Sequence, residues 1–283
     1  MRIISAINEM QRTVDDVRRQ DKLIGLVPTM GYIHEGHLSL VRIAKQNSHI
    51  VITSIFVNPT QFDSDEDFAR YPRDIERDKQ LAESAGSDIL FLPEQKEMYH
   101  ADYLTYVEVK KITEVLEGKF RPTHFLGVTT IVAKLFNITK PHIAVFGQKD
   151  AQQALVVKQM VKDLNIDLKI VVAPIIREES GLAMSSRNVY LSPKERNEGT
   201  VLHRSLRLAE RLIRKGERHS IVILSEMKKM IASQSSAQID YVSIADPTTL
   251  KELSSIDANE AVLVSLAVRI GSTRLLDNLV IKV

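Results

Sequence analysis

The amino-acid sequence predicts an α/β protein: a mostly parallel sheet with helices on both faces, followed by a smaller α+β domain. Two observations support this. Short apolar runs alternate with helix-length amphipathic segments over most of the first 175 residues, and such alternation is typical of parallel sheets. The chain, at 283 residues, also exceeds the usual size of one domain, which favours two. We place the domains at 1–175 and 176–283.

The predicted strands of the first domain are rich in Ile, Val and Phe and end at Pro, Gly or Asn, as strands that lead into loops do. They are Leu23–Val27, Ile50–Val57, Ile89–Leu92, Tyr103–Val109, Ile143–Phe146 and Leu168–Ala173. The predicted helices between them have apolar residues at helical spacing. They are His37–Gln46, Asp74–Ser84, Phe125–Ile138 and Ala151–Leu164.

The second domain begins with a long segment that has no hydrophobic period, from Pro174 to Pro193. Long loops in compact proteins are usually functional. Beyond it, the spacing of Leu202, Leu206, Ala209 and Ile213 predicts an amphipathic helix that Gly216 ends. Two later stretches are strand-like: IDYVSIAD and AVLVSLAVRIGSTRLLDNLVIKV.

Composition excludes several classes of protein. The formal net charge of +2 is too balanced for a dedicated nucleic-acid or membrane-surface protein. The absence of cysteine excludes disulfides, thiolate zinc sites and cysteine nucleophiles. The N-terminal residues contain no continuous apolar stretch, and no window approaches the roughly 18 apolar residues that span a bilayer. We therefore expect a cytoplasmic protein with no nucleic-acid or membrane partner.

The first polar motif is His34-Glu35-Gly36-His37, between a predicted strand and a predicted helix. A zinc pair on a helix needs histidines at i and i+4, whereas these lie at i and i+3 with a glycine between them. The carboxyl ends of parallel strands are where such sheets bind ligands, and a helix N-terminus favours anions. A phosphate site is thus the favoured interpretation, with an ordinary polar turn as the alternative. Neither common glycine-rich phosphate-binding pattern occurs in the chain.

Two further polar motifs follow strands. Asn58 and Gln61, in FVNPTQF, offer uncharged donors and acceptors for a small substrate. In FGQKDAQQ, Gly147 allows close approach, Lys149 suits a phosphate, Asp150 suits a ribose hydroxyl or a magnesium ion, and Gln153 lies one turn on. Alone, each has an ordinary structural alternative: an Asn-Pro turn for the first and an Asp-capped helix start for the second.

The long segment contains GLAMSSRN, in which two hydroxyls and the guanidinium of Arg187 would suit a phosphate. Its glycine would let the loop at 178–190 move and close over a substrate as a lid. Arg121 and His124 precede the long apolar helix; Arg121 would reach an anionic group, and His124 would be a contact at the helix start.

Six segments occur in order along the chain: PTMGYIHEGH, FVNPTQF, YPRD, HFLGV, FGQKDAQQ and LAMSSRN. Together they resemble the pantoate–β-alanine ligase (pantothenate synthetase) family, part of the superfamily of nucleotidyl-transferring, Rossmann-like enzymes with a His-x-Gly-His signature. IDYVSIAD and RLLDN are also similar to that family. Ile33, Thr123 and Gln148 depart from its pattern, where Leu, Gly and Glu are expected.

The resemblance implies a Rossmann-like first domain that binds ATP and pantoate, and an ATP-dependent ligase that forms pantothenate, AMP and pyrophosphate through pantoyl adenylate. It implies catalytic roles for His34, His37, Lys149 and Arg187, with His37 as a charge stabiliser or proton donor. The implied ATP contacts are Met30, Gly31, His34, Gly36, His37, Gly147, Lys149, Asp150, Ile176, Met184, Ser185, Ser186 and Arg187.

The implied contacts to pantoate or β-alanine are Asn58, Gln61, Arg121 and Gln153, and Asp78 is a candidate ligand for Mg²⁺. The family also implies a homodimer. A non-catalytic binding module is hard to reconcile with four polar motifs at strand ends, and two enzymatic alternatives stay open from the sequence. One is another adenylyl-transferring enzyme, and the other is a metal-dependent hydrolase that uses His34, Glu35 and His37.

Overall fold

The computed structural model describes residues 1–62 and 65–283, without the side chains of residues 65–67. The described chain forms two compact units. The first comprises Met1–Gln148 and Gln153–Pro174, and the second comprises Lys149–Gln152 and Ile175–Val283. The second unit thus includes a four-residue segment that follows the fifth strand of the first.

The first unit contains a six-stranded parallel sheet with the strand order β1-β4-β3-β2-β5-β6. Its strands are β1 (Arg2–Ile4), β2 (Ile24–Thr29), β3 (Ile50–Ile55), β4 (Ile89–Phe91), β5 (Ile143–Gly147) and β6 (Lys169–Ala173). Its helices are α1 (Ile7–Arg19), α2 (Glu35–Asn47), α3 (Asp65–Arg70), α4 (Ile75–Ser84), α5 (Gln95–Met98), α6 (Glu117–Phe120), α7 (His124–Thr139) and most of α8 (Ala151–Asp163).

Apolar side chains cover both faces of this sheet because successive residues of a strand point to opposite sides. On one face, Leu26 of β2 packs in a cluster with residues of α1, α7 and α8. On the other, Val27 packs with Val41 of α2. The α/β prediction is confirmed. The strand order reverses at β2 and β5, and sheets of this kind bind ligands at the carboxyl ends of such strands.

The second unit contains a three-stranded antiparallel sheet and helices. Its strands are β7 (Ala237–Ala245), β8 (Ala261–Ile270) and β9 (Thr273–Lys282), and its helices are α9 (Pro193–Gly199), α10 (Val201–Arg214) and α11 (Ser220–Ala232). The buried face of α10, with Leu202, Leu206 and Ile213, packs in the same cluster as Val264 of β8. The predicted α+β composition is confirmed.

One predicted strand, Tyr103–Val109, is wrong. The segment belongs to neither sheet. Its backbone is instead bonded to side chains of α7: the N–H of Val107 donates to Thr130 Oγ1 at 3.1 Å, and its carbonyl accepts from Thr129. Hydroxyl groups of α7 thus bond both backbone groups of Val107. In addition, the sequence does not predict α1, α11 or the short strand β1.

None of the helices in residues 1–62 and 65–283 is long and apolar enough to cross a bilayer.

Candidate active site

The turn after β2 carries Met30 and leads to the two histidines. Its backbone is left-handed at two consecutive residues, with φ of +83° at Gly31 and +50° at Tyr32. Glycine adopts this conformation at no steric cost. A Cβ on Gly31 would also lie 2.9 Å from a methyl group of Ile55. The turn therefore requires glycine at this position.

The carboxylate of Asp78 on α4 holds this turn. Its Oδ2 accepts from the N–H of Tyr32 and its Oδ1 from the N–H of Ile33, both at 2.7 Å. Neighbouring backbone N–H groups in a turn form a concave site for anions. Asp78 is fully buried. Burial raises its pKa, and the two N–H bonds act in the opposite direction. No local pattern in the sequence indicates this pairing, which joins residues 46 positions apart.

The two histidines lie at the N-terminus of α2, with His34 at the N-cap and His37 in the first turn. Their rings stack with centroids 4.0 Å apart. Nδ1 of His37 accepts from the N–H of His34 at 3.4 Å, so a neutral His37 carries its proton on Nε2. An Nε2–H at a helix N-terminus suits an anionic ligand.

Glu35, between the histidines, is paired with Arg42, two turns further along α2. Both carboxylate oxygens accept from the guanidinium. The hydrogen bond from Arg42 holds the pKa of Glu35 below its ordinary value. A glutamate paired in this way is a poor general base, which argues against the hydrolase alternative.

Gln61 lies at the end of a 3-10 turn after β3, Pro59–Gln61, and is buried. Its carbonyl oxygen accepts from Arg121 at 3.0 Å and lies 3.0 Å from Nδ1 of His124. Arg121 is thus bonded to the backbone of this turn, whereas the sequence suggested an anionic ligand for it. Asn58, predicted to contact substrate, is 1% exposed and bonded to Gln61. Its role as a substrate contact stays a prediction.

A cavity of about 350 Å³ lies beside the β2 turn in the first unit. This volume is in the range of small-molecule sites. Its lining includes Met30, Gly31, Tyr32, Ile55, Phe56, Val57, Phe68, Arg73, Ile75, Asp78, Pro93 and Gln95. Arg73 brings a positive charge to this lining and was not singled out from the sequence.

Lys149, in the second unit, follows β5 in a 3-10 turn, Gln148–Asp150. Its Nζ lies 3.7 Å from the carboxylate of Asp150. Its carbonyl oxygen accepts from Nδ2 of Asn278 on β9 at 3.0 Å. The last strand of the chain therefore fixes the backbone of the predicted phosphate-binding lysine.

The predicted lid segment begins with a narrow hairpin in the second unit. The N–H of Met184 donates to the carbonyl of Ile176 at 3.0 Å. Between them, Arg177 makes a two-point ion pair with Asp277 of β9, at 2.6 and 2.9 Å. Oγ of Ser185 then caps the turn Ser186–Tyr190 by accepting from the N–H of Arg187 at 3.3 Å. The segment is thus ordered by bonds within its own unit; its role as a lid stays a prediction.

The predicted site residues are divided between the two units. The first unit holds Met30, Gly31, His34, Gly36, His37, Asn58, Gln61, Asp78, Arg121, Gly147 and Gln153, and the second holds Lys149, Asp150, Ile176, Met184, Ser185, Ser186 and Arg187. Within the first unit, Gly31, Met30 and Asp78 line one cavity. Within the second, Lys149 and Ser185 line a smaller one.

A family model described as "Pantoate-beta-alanine ligase" matches residues 2–280. The chain belongs to this family. The resemblance that the six sequence segments suggested is confirmed over almost the whole chain.

Relatives in the pantoate–β-alanine ligase family match the chain end to end. A pantothenate synthetase of Acetivibrio thermocellus is 55% identical over 283 residues, which is 100% of both chains. A crystal structure of pantothenate synthetase from Thermus thermophilus has a TM-score of 0.90 at 42% identity and covers 99% of each chain. A ligase structure from Francisella tularensis, described as complexed with beta-gamma ATP and β-alanine, has a TM-score of 0.81 at 36% identity, covering 99% and 97%.

Replacement of Asp78 by asparagine should lower turnover by about tenfold or more in this ligase family member. An amide has only one acceptor oxygen, so its NH₂ group would face a backbone N–H, and a buried unsatisfied donor is costly. The turn that leads to His34 would shift. Steady-state kcat and the thermal unfolding midpoint measure this effect.

Asp74→Asn is the matched control. Asp74 caps the same helix by accepting from the N–H of Arg77 at 3.1 Å, and asparagine caps helices as well as aspartate does. Full turnover in Asp78→Asn, or an equal loss in both variants, would contradict a specific role for Asp78.

Proposed function

We propose that the chain is an ATP-dependent ligase that joins pantoate to β-alanine. In the first step, a carboxylate oxygen of pantoate attacks the α-phosphorus of ATP, giving pantoyl adenylate and pyrophosphate. In the second, the amine of β-alanine attacks the acyl carbonyl, and AMP leaves as pantothenate forms. The observation that carries this proposal is the family match over residues 2–280. The Francisella tularensis relative, with ATP and β-alanine named in its complex, supports two of the three substrates.

The first step needs positioning and charge neutralisation more than covalent help. In the proposal, Nε2–H of His37 and the N-terminus of α2 stabilise charge that develops on the phosphate groups. Lys149, with Ser185, Ser186 and Arg187, adds positive charge and hydroxyl donors. His37 serves as a charge stabiliser in the first place, and as a proton donor in the second.

Gln61 and Gln153 bind pantoate in the proposal, because uncharged amides suit its hydroxyls and carboxylate. Both lie in the first unit. The segment 178–190 acts as a lid that shields the acyl adenylate from water until the amine arrives. Ser185, Ser186 and Arg187 of this segment would then both bind the substrate and help to exclude water.

Mg²⁺ enters the proposal through the family resemblance alone. The described residues contain no group of three or more His, Asp or Glu side chains that could hold a metal ion. Asp78 is fully buried, and each of its oxygens already accepts a backbone N–H. This arrangement fits a positioning role for Asp78 better than a ligand role. Bound Mg²⁺ would supply charge neutralisation on the phosphates of ATP.

We also propose a cytoplasmic homodimer. The segment Tyr103–Val109, wrongly predicted as a strand, places apolar side chains at the surface: Leu104 is 87% exposed and Tyr106 is 54% exposed. Exposed apolar groups of this kind favour contact with another protein surface. The measurement is the molar mass of the protein in solution.

The assay that tests the function supplies ATP, pantoate and β-alanine and follows AMP and pyrophosphate. AMP formation should require all three substrates. Without β-alanine, pantoate-dependent exchange of labelled pyrophosphate into ATP should persist, because the first step is reversible while the adenylate stays bound. Formation of ADP, or absence of pantoate-dependent exchange, would overturn the two-step route.

A further inference from the structure

Asn58 and Tyr99 form a hydrogen-bonded chain below Gln61 in the first unit. The hydroxyl of Tyr99 donates to Oδ1 of Asn58 at 2.9 Å. The hydroxyl of Thr60 donates to the same oxygen at 3.0 Å. Burial raises the pKa of Tyr99 to about 12, so its hydroxyl remains a proton donor at any working pH.

The carbonyl of Gly127 sets the orientation of the Asn58 amide, because a carbonyl oxygen can only accept, and the two hydroxyls hold the amide in that orientation. Its oxygen accepts both of them, so its NH₂ group must point the other way. Nδ2 donates to Oε1 of Gln61 at 3.2 Å and to the carbonyl of Gly127 at 3.1 Å. The side chain is 1% exposed. A flipped Asn58 would place its oxygen against the oxygens of Gln61 and Gly127, and its NH₂ group could no longer accept from the two hydroxyls.

The orientation of Asn58 in turn sets that of Gln61. Because Oε1 of Gln61 is occupied by Asn58, the amide can present only its Nε2 donors elsewhere. Nε2 points to the sulfur of Met30, a residue that lines the 350 Å³ cavity. A thioether is a weak acceptor, so an anionic or hydroxyl oxygen of a ligand would replace it favourably.

Close packing keeps this arrangement in place. A Cβ on Gly127 of α7 would lie 2.5 Å from the carbonyl oxygen of Thr60 and 2.7 Å from the nitrogen of Gln61. The backbone of α7 therefore packs directly against the backbone of the turn at Thr60 and Gln61. The turn has little freedom to compensate for a lost side-chain bond.

We propose that Tyr99 is a positioning residue for pantoate: through Asn58, its hydroxyl holds Gln61 as a donor to an oxygen of that substrate. The inference rests on the proposed function, which assigns pantoate to Gln61. Without the Tyr99 hydroxyl, Asn58 keeps its bonds with Thr60 and Gly127 but loses one of the donors that hold it, so Nε2 of Gln61 is held less firmly toward the substrate. Binding of pantoate weakens, while the other substrates are unaffected.

The test is Tyr99→Phe, which removes one oxygen atom. The KM for pantoate should rise about three- to tenfold, as expected for one hydrogen bond, while the KM for ATP and the thermal midpoint stay near wild type. Thr60 still donates to Asn58 in this variant. The double variant Tyr99→Phe with Thr60→Val should therefore raise the KM for pantoate further than either single change does.

Tyr103→Phe is the matched control. Its ring packs edge-on against Tyr99, with centroids 5.1 Å apart, and the ammonium of Lys134 lies over both rings. Its hydroxyl makes no hydrogen bond with any described residue, so the variant should behave as wild type.

The proposal is overturned if Tyr99→Phe matches wild type, if Tyr103→Phe has the same effect, or if the KM for ATP rises equally. If the substitutions only loosened the packing, Tyr103→Phe would have the same effect as Tyr99→Phe and the KM for ATP would rise. The thermal midpoint would then also be lower. If the wild-type protein shows no pantoate-dependent AMP formation, the proposed function fails instead, which is a distinguishable result.

Discussion

Replacement of His37 by alanine should lower turnover about 100-fold or more, because it removes a donor that stabilises the transition state. Nδ1 of His37 accepts from the N–H of His34, so the donor that we propose for the phosphate is the Nε2–H of a neutral His37. A ground-state contact would raise only the KM for ATP, whereas a transition-state contact lowers kcat. Single-turnover formation of AMP and pyrophosphate separates the two.

Removal of the imidazole ring in His37→Ala should lower the free energy of unfolding only slightly. The bond to the N–H of His34 is a helix-capping contact, worth about 1 kcal/mol. His100→Ala is the control, because His100 is an exposed histidine paired with Asp102. Turnover near wild type in His37→Ala would remove this residue from the reaction.

Replacement of Asp277 by alanine should lower the free energy of unfolding by about 3 kcal/mol or more. Removal of one partner from a buried ion pair leaves the other charge uncompensated. The side chain of Asp277 is 2% exposed and that of Arg177 is 19% exposed. Arg177 also donates to the carbonyl of Gly181, so the hairpin that leads to Ser185 should loosen and the KM for ATP should rise.

Urea unfolding followed by circular dichroism measures the change in stability. Glu226→Ala is the control within the same unit, because its ion pair with Lys229 is exposed and such pairs contribute little. The double change Arg177→Met with Asp277→Leu should recover part of the loss, since no charge is then left buried. A single-variant loss below about 1 kcal/mol would contradict the role of this pair.

Local patterns in the sequence are sufficient to predict most elements of the first unit. β2 and α2 are predicted near their observed ends because an apolar run, a glycine and an amphipathic period follow one another. The strand expected at Tyr103–Val109 fails for a non-local reason. The N–H and the carbonyl of Val107 are bonded to hydroxyls of α7, 23 and 22 residues away, and no local pattern reveals this.

The candidate site likewise contains some residues that local sequence patterns reveal and others that they do not. The histidines, Gln61 and Lys149 are recognisable because polar residues follow predicted strands. The residues that hold them are not recognisable in that role, and the sequence suggests Asp78 only as a candidate ligand for Mg²⁺. Asp78, Tyr99 and Asn278 act through contacts with residues 46, 41 and 129 positions away. In the sequence these three residues look like ordinary surface residues, because their bonding partners come close to them only in the folded chain.

The bonds from β9 to earlier parts of the chain have a consequence for biosynthesis. Asn278 holds the carbonyl of Lys149, and Asp277 holds Arg177, 100 positions earlier. A ribosome must therefore translate β9 before either basic residue acquires its fixed surroundings. Contacts between residues so distant in the chain also form slowly, because long loops must close first. The nascent chain consequently carries an incomplete site until β9 has paired with β8.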